Sequence, residues 1–179
     1  GGQIAFGETC PHYLVLDDSA YLRPRPEALR FLCQPPIRDQ LEQQALWRAL
    51  AGRSLDVIST DHCPHPDEQK QAGADDFTRT AGGISGIETR LALMHTFGVR
   101  TGQISRPRWV ELCCSAPARL FGLPGKGELL PGADADIVLF DPTRQVTLRA
   151  ATLHSAIPYS QYEDIQVSGY PVTTLSRGE

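Results

Sequence analysis

The sequence predicts an α/β fold with a parallel sheet, and three observations lead there. Short apolar strand-like segments alternate with stretches of helical periodicity through the first two thirds of the chain. One of those strands delivers an aspartate and a histidine at its C-terminal end. Beyond Pro124-Gly125-Lys126-Gly127 the helical pattern gives way to β-like runs, which read as a small separate layer.

Taken in order, Ile4-Ala5-Phe6 reads as a short strand. A polar stretch rich in acidic residues and proline follows over 17–26, and so long an irregular connection usually serves function or acts as a lid. Residues 39–51 have helical spacing, with Leu41, Ala45, Leu46, Ala49 and Leu50 on one apolar face, Asp39 as N-cap and Gly52 as stop. Leu55-Asp56-Val57-Ile58-Ser59 is the next strand, and residues 67–76 read as a charged loop. Gly86 leads into a helix carrying Ile87, Leu91 and Met94 that stops at Gly98. A third helix starts near Ser105-Arg106-Pro107, where proline suits the first turn, and Pro117 marks either its end or the start of a further helix reaching Phe121. In the tail, residues 136–141, 145–148 and 172–175 are strand candidates.

Composition narrows the function classes. A length of 179 residues fits one domain, or one and a piece of another, and 41% hydrophobic residues suffice for a core. A net charge of −4 gives no reason to expect nucleic acid or an anionic membrane as partner. No apolar run approaches the roughly 18–20 residues of a membrane-spanning helix. The first residues carry no visible signal peptide and no initiator methionine, and they point to a fragment. Five cysteines, with Cys113 and Cys114 adjacent and no C-x-x-C, speak for reduced, buried thiols in a cytosolic protein.

Chemistry concentrates in Asp56-Val57-Ile58-Ser59-Thr60-Asp61-His62-Cys63-Pro64-His65. In parallel α/β barrels the C-terminal ends of the strands collect the reacting groups, because the following loops open there. A carboxylate in that place binds a metal or moves a proton. The segment also reads as a plain helix cap and turn. A local zinc site from His62, Cys63 and His65 is a further alternative, although neighbours on one turn seldom converge on one ion and a fourth ligand is missing.

The ordered motifs Gly7-Glu8-Thr9-Cys10-Pro11-His12-Tyr13-Leu14, Gln34-Pro35-Pro36-Ile37-Arg38-Asp39 and Ser59-Thr60-Asp61-His62-Cys63-Pro64 resemble those of dihydropyrimidinases, hydantoinases and allantoinases of the amidohydrolase superfamily. Asp76-Phe77-Thr78, residues 83–90, 115–123 and 132–138 continue the resemblance, and His154-Ser155-Ala156 and residues 167–172 echo it more loosely. Together they span essentially the whole chain.

The resemblance implies the C-terminal part of a TIM-type (β/α)8 barrel over residues 1–124, with residues 4–6 as strand seven and 56–59 as strand eight. Residues 125–179 would be part of a composite β-sandwich. It implies hydrolysis of a ring amide by two bridged metal ions, usually zinc. Asp61 matches the aspartate that binds one metal, accepts the water's proton and passes it to the leaving nitrogen. Gln34, ahead of Pro35-Pro36, and Gly82, in an asparagine-like place, match positions that hold the substrate. The family's other ligands are a His-x-His, a carboxylated lysine and two further histidines, and no matching motif occurs here. His12, His62, His65, His95 and His154 stand where the family places no ligand. His95 lies within a helix, for packing or at the surface; His12 either borders the site or is structural.

The chain alone is therefore expected to be inactive and to need a missing half. Gly82-Gly83-Ile84 and Gly86 look like the allantoinase version and Cys63-Pro64 like the hydantoinase one, with hydantoin or dihydropyrimidine ahead of allantoin. Dihydroorotase is a rival within the reaction type, and a non-catalytic scaffold relative is a rival outside it. The resemblance further implies a cytoplasmic homo-oligomer acting on a small cyclic amide.

Overall fold

In the computed structural model, which describes residues 2–179, β1 (Glu8–Thr9) and β2 (Val57–Ile58) pair in parallel, Glu8 opposite Val57 and Thr9 opposite Ile58. Backbone bonds extend the pairing. The Asp56 N–H donates to the Gly7 carbonyl at 2.8 Å, and the Ser59 N–H to the Thr9 carbonyl at 3.0 Å. Val57 and Ile58 are both buried, as expected for a strand covered on two faces. The strand expected at residues 4–6 thus lies later in the chain. Ile4 and Phe6 are 82% and 62% exposed, because the ladder with β2 begins only at Gly7.

α1 (Pro11–Val15) follows β1 directly and buries Pro11, His12 and Leu14. The polar stretch after it is partly ordered into a 3-10 turn at Asp18–Leu22, capped by Asp17, whose carboxylate accepts the Ser19 N–H at 3.0 Å. α2 (Gln40–Ala51) forms as its periodicity predicts, between an Asp39 cap and Gly52. Its inward face differs from the expected one: Trp47 and Leu50 are buried while Leu41 is 73% exposed. The Trp47 indole N–H donates to the Leu14 carbonyl at 3.1 Å and locks α2 to α1.

The expected charged loop contains a short helix, α3 (Asp67–Gln71), with two acidic residues in its first turn and a buried lysine in its last. α4 (Arg90–Met94) begins later than predicted and runs into a π turn at His95–Val99. Ile87 precedes it and is 64% exposed, outside the apolar face assigned to it. α5 (Arg106–Val110) is capped by Ser105 and continues through a π turn, Glu111–Ser115, into α6 (Ala116–Leu120). The widened turn sits just ahead of Pro117, whose ring does not fit an uninterrupted α-helix, so proline opens α6. Leu50, Ile58, Leu93, Met94 and Leu112 form the centre of the core, each fully buried. Each contributes about 1.5–3 kcal/mol of apolar burial.

The tail is an antiparallel pair, β3 (Ile137–Thr147) with β4 (Gln166–Leu175). The two predicted strands at 136–141 and 145–148 are one strand, interrupted by register shifts at Leu139/Phe140 and Asp141/Gln145. β4 reaches further back than predicted. Its Ser168 carbonyl lies 2.6 Å from His95 Nδ1, and His95 packs between the rings of Trp109 and Phe140, so this histidine is an internal strut rather than a surface residue. Among the cysteines, Cys10, Cys33 and Cys113 are buried and all five are free thiols. Cys63 and Cys114 are exposed, against the expectation of burial.

Candidate functional site

Because β1 and β2 are parallel, their C-terminal ends open on one side. Cys10 follows β1 and its Sγ is 3.1 Å from Ser59 Oγ, past the end of β2. Asp61 comes just beyond, exposed, in the left-handed conformation with φ of 43° that aspartate tolerates better than most residues. The next residue holds the turn in place. His62 Nδ1 accepts the backbone N–H groups of Gly86 and Ile87 at 3.0 and 3.3 Å. His62 also bridges Ile84 in parallel, and the Cys63 N–H donates to the Ile84 carbonyl at 3.0 Å.

Residues 82–84 are thereby laid between the loop after β2 and the loop around Leu32. The Gly83 N–H donates to the Leu32 carbonyl at 2.9 Å. Gly83 has φ of 151°, and a Cβ there would stand 2.4 Å from the Cys63 carbonyl oxygen, so the close approach requires glycine. Gln34 and Gly82 are brought together: a Cβ on Gly82 would lie 3.6 Å from Gln34 Cδ. Two residues after Asp61, the Cys63–Ile84 backbone bond joins the loop after β2 to the strand-like segment that follows Gly82.

Two buried polar groups lie in the neighbourhood, His12, which the sequence left between site border and structural role, and Lys70, which it did not single out. His12 is 1% exposed and neither ring nitrogen has a hydrogen-bond partner among the described residues. Burial pushes its imidazole down to about 4, against the opposing pull of the Asp61 carboxylate. Pro11-His12 straight after a strand was the available hint. Lys70 is fully buried beneath the loops, and nothing in the charged run around it sets it apart. Tyr13 completes the wall, donating its hydroxyl to the Pro35 carbonyl at 2.9 Å.

The histidine-cysteine turn does not form a zinc site. His62 Nδ1 is taken by backbone amides, and His65 Nδ1 and Nε2 lie 2.8 Å from Gln69 Oε1 and 3.4 Å from Cys63 Sγ. Among the described residues no group of three or more His, Cys, Asp or Glu is placed to hold a metal. Among the described residues Asp61 therefore stands without two further carboxylates, histidines or cysteines placed to share an ion with it.

The amidohydrolase family model matches residues 37–179. A D-hydantoinase of Streptomyces coelicolor is 46% identical over 180 residues, which cover 99% of this chain and 38% of that protein. The crystal structure of a dihydropyrimidinase from Brevibacillus agri superposes with a TM-score of 0.94 at 42% identity, covering 97% of this chain and 38% of the other. That of a D-hydantoinase from Bacillus sp. AR9 gives 0.96 at 40% identity, covering 99% and 39%. The chain therefore spans well under half the length of these relatives. With a family match over most of its length, the chain belongs to the amidohydrolase family, as a homologue of D-hydantoinases and dihydropyrimidinases.

Proposed function

We propose that the chain is the C-terminal portion of a metal-dependent cyclic amidohydrolase that opens a hydantoin- or dihydropyrimidine-type ring. One observation carries this reading: an exposed Asp61 carboxylate just past the C-terminal end of the buried strand β2, with Gly82 beside the Gln34 side chain on the neighbouring loops. The names of the relatives agree with it. In this reading Asp61 is both a metal ligand and the catalytic carboxylate, and Gln34 and the Gly82 backbone hold the polar edge of the ring. Two zinc ions are required, with their other ligands outside this chain. When bound, zinc supplies a water acidic enough to be hydroxide near neutral pH. Asp61 takes a proton from the attacking water and delivers it to the ring nitrogen as the C–O bond forms and the C–N bond breaks.

The same reading assigns residues 1–124 to a TIM-type barrel and 125–179 to a composite β-sandwich. Ile4, Leu129 and Leu130 are 82%, 74% and 61% exposed, apolar surface of the kind that further chain covers. It also makes the intact protein a cytoplasmic homo-oligomer. Among the described residues no helix is long and apolar enough to cross a membrane. Allantoin is the second ring to test, favoured by the absence of a side chain at Gly82.

The test is ring opening of hydantoin, dihydrouracil and allantoin by the complete zinc-loaded protein, beside its Asp61→Asn variant and this chain alone. The complete protein is expected to open one of the first two, and Asp61→Asn to lose at least about 1,000-fold in kcat. This chain alone is expected to be inactive. No turnover of any ring by the complete, metal-loaded protein would move the reading to a scaffold relative.

A further inference from the structure

Lys70 has a place that its sequence context conceals. It lies on α3 among acidic and amide side chains, yet it is 0% exposed. Burying an ammonium is costly unless its donors are met, and the acceptors it meets are backbone carbonyls. Nζ donates to the Leu32 carbonyl at 2.9 Å and to the Gly83 carbonyl at 2.7 Å. The Leu32 carbonyl also accepts the Gly83 N–H at 2.9 Å, so one ammonium closes a knot already tied by the backbone. Burial lowers Lys70 to about 8, which leaves it protonated at neutral pH, and two carbonyl acceptors favour that charged form.

The position of the knot gives it a consequence. Leu32 leads through Cys33 to Gln34, and Gly83 follows Gly82, where an added Cβ would come 3.6 Å from Gln34 Cδ. On the other flank Gly83 is pressed against the Cys63 carbonyl, and Ile84 is bonded to the Cys63 N–H, next to the Asp61 turn. A shift at Gly83 is therefore felt both at Gln34 and at the turn that carries Asp61.

We propose that Lys70 is a positioning residue for the substrate pocket, pinning the Leu32 and Gly83 carbonyls so that Gln34 and Gly82 keep their spacing from Asp61. The proposal rests on the ring-opening reading above. It places no reacting atom on Lys70.

The complete zinc-loaded protein is compared with Lys70→Met, which fills nearly the same volume without a donor, and Lys70→Gln, which is shorter but keeps N–H donors. KM, kcat and zinc content are measured, together with amide exchange over residues 32–34 and 82–84. Lys70→Met is expected to raise KM about tenfold, with kcat changed less than about threefold. Zinc content is expected to stay as in the parent and exchange at Gly83 to accelerate. Lys70→Gln is expected to fall between the two. The reverse order, with Met the milder change, assigns Lys70 to filling space and overturns the proposal. So does a fall in kcat and zinc content with KM unchanged. If the parent opens no ring, the ring-opening reading fails by itself and exchange decides: Gly83 protection unchanged in Lys70→Met overturns the knot. If Lys70→Met does not fold, Lys70→Gln is judged by the same measures, and parental KM and exchange overturn the proposal.

Discussion

His12 shows how a single buried side chain ties stability to pH. Its imidazole stays neutral in the folded protein down to about 4, whereas the ordinary value is 6.5. Between those values the unfolded chain binds a proton that the folded chain refuses, so stability falls as pH drops through that window. The loss amounts to about 3 kcal/mol, an order-of-magnitude figure for one buried histidine. Replacing His12 with Gln is expected to flatten that part of the profile, read from denaturation midpoints of the complete protein at several pH values. At this scale the sequence singles out Asp61 because an apolar strand ends just before it, while Gln34 and Gly82 stand out only through the family resemblance, and the roles of all three belong to the proposed function. Lys70 and His12 were not legible as buried polar groups, since their burial comes from carbonyls and walls supplied by segments distant in sequence.

At the scale of elements, local signals succeeded where they were self-contained. α2 carries its own cap: the Asp39 carboxylate accepts the N–H groups of Leu41 and Glu42 at 2.9 and 3.0 Å. Asp39→Ala is expected to cost about 1 kcal/mol of stability, measurable by chemical denaturation of the complete protein. Prediction failed where a partner decides. Ile4-Ala5-Phe6 has strand composition, but pairing with β2 begins at Gly7 and leaves the triplet outside. α3 was hidden because a charged run looks the same whether all of it is solvated or one lysine points inward. β3 was split in two because Pro142-Thr143-Arg144 has turn composition, while the strand absorbs it as a register shift against β4.

On the scale of the whole molecule, the C-terminal segment supports the site loops. Tyr159 donates its hydroxyl to the His65 carbonyl, and Gln161 Nε2 donates to the Arg30 carbonyl at 2.8 Å. Tyr162 is fully buried in the core, in contact range of Gly86, with its hydroxyl unpartnered among the described residues. Removing an unmet hydroxyl costs little, so Tyr162→Phe is expected to leave stability within about 1 kcal/mol of the parent. Tyr162→Ala removes the ring and is expected to cost about 3–5 kcal/mol. Denaturant midpoints of the complete protein decide between them. A Phe variant as damaged as the Ala variant would mean that the hydroxyl finds an acceptor beyond this chain.

Those supports also give the pocket a schedule. Tyr159 follows His65 by 94 residues, and Gln161 follows Arg30 by 131. On the ribosome the loop bearing Asp61 is therefore translated long before the residues that will hold it up. A nascent polypeptide cut short in that interval carries Asp61, Gln34 and Gly82 but lacks the hydrogen bonds of Tyr159 and Gln161 to the neighbouring loops. Completion of the tail thus sets these loops in place, and under the proposed function a prematurely released product is an unfinished receptacle.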